Sequence, residues 1–230
     1  MGIARSTAKL VGPRVASAAG PKVTSGYVRV LLERAIDGAG PFKPVRVAAD
    51  ARLALAGGRV EDAIDDVVRV HVRYASAQGF LTNVGGVASM VVTVPANVTG
   101  LAVLQCHMVA AIAYLRGYDL DDPRVRNAVM ACLLGKDEVT KAIKDQRLPS
   151  TPMGLATSPV HDPLLDDRIA REVTTAMFGR VSGKQGASVL IRKVPILGGS
   201  VGAVSDAVHT AKLAGYARSE LRDRRLALPR

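Results

Sequence analysis

Apolar residues recur along most of this chain at the three- and four-residue spacing of a helix face rather than in strict alternation. Val67, Val70 and Tyr74 form one such stripe. The pattern predicts helices over 27–37, 45–56 and 60–77, the last with Glu61, Asp62, Asp65 and Asp66 crowded at its start, where acids suit the positive end of the helix dipole. Further helices are expected over 123–134 and 137–146, then 163–178, and finally a long one over 200–226. Two of these carry the same start device: Asp122 before Pro123 and Asp162 before Pro163 read as N-caps with proline in the first turn. The segment 148–159 reads as a loop, glycine-rich 179–186 as a turn, and 188–194 as the only plausible strand.

One stretch breaks the amphipathic pattern. Between Arg73 and Arg116 the chain contains no Asp, Glu, Lys or Arg. Pro95 and Asn97 divide this stretch into apolar runs over 80–94 and 98–115. A bilayer-spanning helix needs about 20 predominantly apolar residues, so each half is short for a span. Each half also carries polar side chains, Thr82, Asn83, Ser89 and Thr93 before the break and Thr99, Gln105 and His107 after it. The expectation is a buried helical hairpin, with an interfacial or re-entrant hairpin as its competitor.

Composition narrows the picture. Of 230 residues, 48% are hydrophobic but only 3% aromatic, so the core must be built of Ala, Val and Leu, which suits close helix packing. Around Ser200 two small-residue ridges run at spacing four: Gly199, Ala203, Ala207, Ala211, Gly215 and Ser219, and beside them Gly198, Gly202, Asp206, Thr210 and Ala214. Together they predict a face on which another helix lies close. Asp206 within that face needs a buried partner, with Arg124, Arg126, Arg192 and Lys193 as candidates. The fold class expected is all-α: a compact helical bundle with a central uncharged helical hairpin and a long Gly/Ala-ridged C-terminal helix.

The formal net charge is +11, and cations gather at both ends: Arg5, Lys9, Arg14, Lys22 and Arg29 precede the first acid, Glu33, and five arginines fall at or after Arg218. Basic ends attract an anionic membrane surface or nucleic acid. The scarcity of aromatic side chains for base stacking argues against nucleic acid. Residues 1–25, rich in Ala, Gly, Ser and Pro, read as a flexible basic arm. No secretory apolar core follows the N-terminus, and Cys106 and Cys132 lie in apolar helical contexts as inert thiols, so a cytoplasmic location is expected.

Motifs that carry chemistry are weak. Gly198 to Gly202 satisfies the nucleophile-elbow pattern around Ser200, but nine residues of helix put His209 about 13 Å along the axis from it. Gly179 to Gly186 is one residue short of a Walker phosphate loop, with Gln185 where Ser or Thr belongs. MGIARS matches a myristoylation pattern and Asn97-Val98-Thr99 a glycosylation sequon, both read as coincidence. Asp119, Asp121 and Asp122 with His161, Asp162, Asp166 and Asp167 offer oxygen ligands for a metal, yet capping and helix dipoles account for most of them. His107 is expected to be a hydrogen-bonded core histidine. No catalytic residue, metal or cofactor is assigned.

Three blocks carry a resemblance: GFLTNVGGVASMVVTVPANVTG, then QCHMVAAIAYLRGYDLDDPRVRNAVMACLLG, then IRKVPILGGSVGAVSDAVHTAKLAGYA. In this order, over roughly 74–218, the chain resembles the EcsC protein family. The resemblance implies a bacterial, mostly helical protein with hydrophobic central segments; residues before about 45 lie outside it, and 26–230 are expected to form a single α-helical domain. The family is named from an operon that also encodes an ABC transporter linked to protein export, and it has no established enzymatic activity. The positions it carries over are Gly85, Gly86, Pro95, Asp119, Asp121, Arg124, Arg126, Lys193, Pro195, Gly198, Gly199, Gly202 and Asp206. The expectation is a non-enzymatic helical protein, cytoplasmic and peripheral on the inner face of the cell membrane, assisting transport, export or envelope maintenance. The alternatives are a soluble module with a lipid or other apolar molecule bound between its helices, and an enzyme using the acidic loops around Asp119 and Asp162.

Overall fold

The computed structural model describes the backbone of residues 26–84, 90–191 and 195–224, with side chains described outside 79–98, 178 and 180–203. The described residues form nine helices and no strand, as the periodicity predicts. In chain order they are α1 (Gly26–Asp37), α2 (Val45–Leu55), α3 (Val60–Val84), α4 (Met90–Leu115), α5 (Pro123–Cys132), α6 (Lys136–Lys144), α7 (Pro152–Ala156), α8 (Pro163–Ile191) and α9 (Pro195–Glu220). The basic arm, residues 1–25, lies outside the described residues.

Helix α4 is the axle of the bundle, touching α1, α2, α3, α5 and α9. From Ala102 to Leu115 nearly every side chain is buried, including Cys106, Met108, Ile112 and Leu115 at 0% exposure. A helix apolar on all sides has no solvent face to keep, so its position in the middle follows from its composition. The second half of the charge-free stretch is therefore buried in protein. Among the described residues no helix is long and apolar enough to cross a membrane. Helix α5 is buried almost as fully from Val125 to Cys132, and Leu133 and Leu134 just after it are buried too. Residues of α1 and α2, such as Val28, Leu32, Ala35, Val45 and Ala49, join the same core cluster as Leu213 and Ala217 of α9 and Leu221 just after it.

Both proline start devices are present. Asp122 accepts from the Arg124 amide at 2.8 Å to cap α5, and Asp162 accepts from the Leu164 amide at 2.9 Å at the start of α8. Elsewhere the structure departs from the sequence reading. Helix α3 continues to Val84, and α4 runs through Pro95 rather than ending there. Pro95 falls in the second turn, where its missing N–H removes one hydrogen bond near the helix start. Helix α8 runs through the glycines of 179–186 and through 188–191, with no turn and no strand. A lone strand would find no neighbour for its backbone groups, whereas a helix satisfies them internally at a cost of about 1 kcal/mol per glycine. Thr151 caps the short α7 inside the segment 148–159 by accepting from the Gly154 amide at 3.3 Å.

The most extensive helix pair is α3 with α9. Among the described residues of α9 only one of the two small-residue ridges faces inward: Asp206, Thr210 and Ala214 are buried, together with Leu213 and Ala217. Ala211, Gly215 and Ser219 of the other ridge face solvent, because α9 turns the leucines beside the first ridge toward the core.

Candidate functional site

The signature acids and arginines of 119–126 do assemble. Tyr118 and Leu120 are buried, which turns Asp119 and Asp121 outward. Asp119 folds the turn by accepting from the Asp121 amide at 2.9 Å. Arg46 of α2 reaches Asp121 at 2.8 Å and Asp119 at 3.9 Å, and Arg126 donates to the Leu120 carbonyl at 2.8 Å. Arg124 clasps Asp122, which holds that carboxyl below its usual range, and also donates to the Ser158 carbonyl at 2.6 Å. These residues tie loops together and cap helices.

The second acidic loop touches the first through Arg124. Asp166 accepts from Asn127 at 2.7 Å, lies 2.9 Å from His161 Nε2 and pairs with Arg29 at 3.5 Å. Among the described residues no group of three or more His, Cys, Asp or Glu is placed to hold a metal ion. The start of α3 adds pairing to the dipole explanation for its acids. Glu61 binds Arg116 and Arg218, Asp65 binds Arg218, and Asp66 binds Arg52 and Arg69.

His107 is a core histidine, as expected, but its partner is another histidine. Its Nδ1 lies 2.9 Å from Nε2 of His71 on α3. The outer nitrogens point at carbonyls, His71 Nδ1 at Val67 O (2.7 Å) and His107 Nε2 at Lys43 O (2.9 Å). Phe42 stacks on His71 with ring centroids 5.0 Å apart and leans on His107 at 4.8 Å. Both rings are buried, and burial pushes both toward the neutral form, His71 to about 4. A carbonyl only accepts, so both outer contacts require N–H donors. Two neutral imidazoles spend their two protons there and leave two lone pairs facing each other in the middle. A third proton would complete the chain, and desolvation opposes it.

A second polar group lies in the α4–α9 seam. Gln105 donates to Thr210 Oγ1 at 3.2 Å and lies 3.1 Å from His209 Nδ1. Asp206, one turn away, is 8% exposed and takes part in a polar interaction. Arg124 and Arg126 bond elsewhere, while Arg192 and Lys193 lie outside the described residues. Gly85 and Gly86 lie outside them too, and so do the side-chain surroundings of Pro95, Pro195, Gly198, Gly199 and Gly202.

The surface of α8 holds residues that motif reading passed over. Leu164, Arg168, Arg171 and Thr175 follow at i, i+4, i+7 and i+11 and share one face. Leu164 is 81% exposed and Val160, just before the helix, 72%. Among the described residues neither Arg168 nor Arg171 makes an ion pair, since the nearby Glu172 binds Arg147 and Asp167 binds Arg29. Helical spacing of Leu with Arg was the available signal, hidden because capping explained the neighbouring acids.

The class that this fold defines is an all-α bundle protein wound around one buried apolar helix. The chain belongs to the EcsC protein family, whose model matches residues 58–226. No curated protein and no solved structure matches it.

Proposed function

We propose that this is a non-enzymatic helical protein that docks reversibly on the anionic inner face of the cell membrane and there assists transport, export or envelope maintenance. The observation that carries the reading is the outer face at the start of α8, where two exposed apolar side chains, Val160 and Leu164, adjoin Arg168 and Arg171, which make no ion pair among the described residues. Apolar side chains of this kind enter the headgroup boundary while cations meet lipid phosphates. The family likeness to proteins encoded beside an export-linked transporter supplies the setting.

The magnitudes favour reversible docking. Each cation near an anionic leaflet contributes about 1 kcal/mol, and burying an aliphatic side chain roughly 1.5–3 kcal/mol when complete. Partial insertion of two such chains beside two arginines gives on the order of 5 kcal/mol, a sub-millimolar affinity before the remaining charge is counted.

The acidic-loop carboxylates are engaged in caps and ion pairs, which leaves them poor candidates for an enzyme's acid and base. The test is sedimentation with phosphatidylcholine vesicles, with and without phosphatidylglycerol. Binding is expected to require the anionic lipid and to fall at least about tenfold as salt shortens the Debye length from ~10 Å at 0.1 M to ~3 Å at 1 M. Equal binding to neutral vesicles, or none to anionic ones at low salt, overturns the reading.

A further inference from the structure

We propose that the groove between the end of α6 and the outer face of α8 is a binding site for a phosphate ester group. The proposal deepens the membrane-surface reading and rests on it only for the source of the phosphate. The groove has a volume of about 300 Å³, at the small end of ligand pockets. Its walls are Gln146 and Arg147 on one side and Arg168, Arg171, Glu172 and Thr175 on the other.

The near wall is held by backbone geometry. Gln146 follows the α6 cap in the left-handed region, at φ 56°, the one non-glycine residue with positive φ among those described. A side chain there is strained where glycine would be relaxed. The turn lets the amides of Arg147 and Leu148 both donate to the Ala142 carbonyl, at 2.7 and 3.0 Å, and buries Leu148 beneath the rim. Arg147 is then clasped from two sides, by Glu172 across the groove and by Asp145 at 3.1 Å. The backbone at Gln146 and the guanidinium of Arg147 are thus held before any ligand arrives.

The far wall supplies the charge. Three guanidinium groups meet one carboxylate, and Glu172 is committed to Arg147. Arg168 and Arg171 stand one turn apart on the same helix face with no acid assigned to them among the described residues. Like charges at this spacing repel weakly, and an anion between them reverses the sign. A guanidinium presents a planar fork of donors that matches phosphate oxygens, and two open forks on one face suit a tetrahedral group with several oxygens better than a single planar carboxylate. The Gln146 amide and the Thr175 hydroxyl add neutral donors, which suits an esterified phosphate. Leu164, one turn before Arg168, puts an exposed apolar side chain next to the cations, as a headgroup attached to acyl chains requires.

The test compares two charge-matched pairs in the full chain. Arg168→Gln with Arg171→Gln removes the two open forks, and Lys136→Gln with Lys212→Gln removes two exposed cations elsewhere. Each protein is titrated with phosphatidylglycerol-containing vesicles and separately with soluble glycerol phosphate, and circular dichroism checks the fold. The arginine pair is expected to weaken binding at least about tenfold and the lysine pair less than about threefold. Groove-dependent binding to vesicles but not to glycerol phosphate assigns the site to a lipid headgroup. Groove-dependent binding to glycerol phosphate without vesicle binding keeps the site and overturns the membrane reading. Vesicle binding lost equally by both pairs overturns the groove and leaves the membrane reading standing. No binding of either probe by the unaltered protein overturns both.

Discussion

Nε2 of His71 and Nδ1 of His107 face each other across 2.9 Å in the core, at the middle of a polar line whose outer nitrogens donate to two carbonyls. The line joins α3, α4 and the loop before α2 with no acidic side chain in it. Arg52 of α2, itself paired with Asp66, opposes protonation of His71.

This pair makes the fold sensitive to mild acid. The unfolded chain binds a proton at each histidine near the ordinary value of 6.5, whereas folded His71 does so only at about 4, held down first by burial. Stability is therefore complete above pH 6.5 and is lost as pH falls toward 4, in total by on the order of 3 kcal/mol from His71 alone. Urea denaturation between pH 7.5 and about 5.5 should show the onset of this decline, above the range where most carboxylates titrate. His71→Phe should flatten it; an unchanged slope would mean that His71 titrates in solvent.

Arg116 ends α4 and grips the end of α9. It donates to the carbonyls of Arg218 (2.5 Å) and Leu221 (2.8 Å) and to Glu61 (2.7 Å) while itself 8% exposed. Arg116→Leu keeps much of the stem but leaves the two carbonyls without their charged donor, at a cost of about 2–4 kcal/mol in urea denaturation. Glu61 is more than half exposed on its side chain. Glu61→Gln should cost less than about 1 kcal/mol, so equal losses from the two variants would refute the carbonyl-gripping role.

Gly215 lies well inside α9, faces solvent, and has open space where a Cβ would stand. Gly215→Ala should raise stability by roughly 0.5–1 kcal/mol by reducing the freedom of the unfolded chain. A lower melting temperature would show that this ridge packs against something after all.

Cys106 and Cys132 are free and fully buried, with thiol acidities weakened by burial, Cys106 up to about 12. Neither should react with an aqueous disulfide reagent in the native protein, and both should react at once in denaturant. Native reactivity at either position would place an opening beside α4 or α5.

What the sequence disclosed was local. Asp122-Pro123 and Asp162-Pro163 marked helix starts because a cap and its proline are neighbours in the chain. The buried position of α4 followed from a run with no charge. His71 carried no such mark, since its meaning depends on a residue 36 positions away. Glycines 179–186 misled because glycine permits a turn without requiring one, and only the surrounding helix decides. On α9 spacing alone offered two equivalent small-residue ridges, and the larger Leu213 and Leu221 beside one of them settled which turned inward.

The family match opens at residue 58 and closes at 226, and the bonds from Arg218 to Glu61 and Asp65 bring those two ends of the chain together. Helices α1 and α2 precede this segment, yet Val28, Ala35, Val45 and Ala49 are at 0% exposure within its core, and the Lys43 carbonyl closes the histidine line. The segment that the family model matches and the segment that shares one core are therefore different lengths here. A fragment cut at the family boundary would keep its own seam shut but leave one flank of the axle helix, and His107 with it, bare to water. The first two helices behave as a built-in bandage for a surface that the shared segment cannot cover by itself.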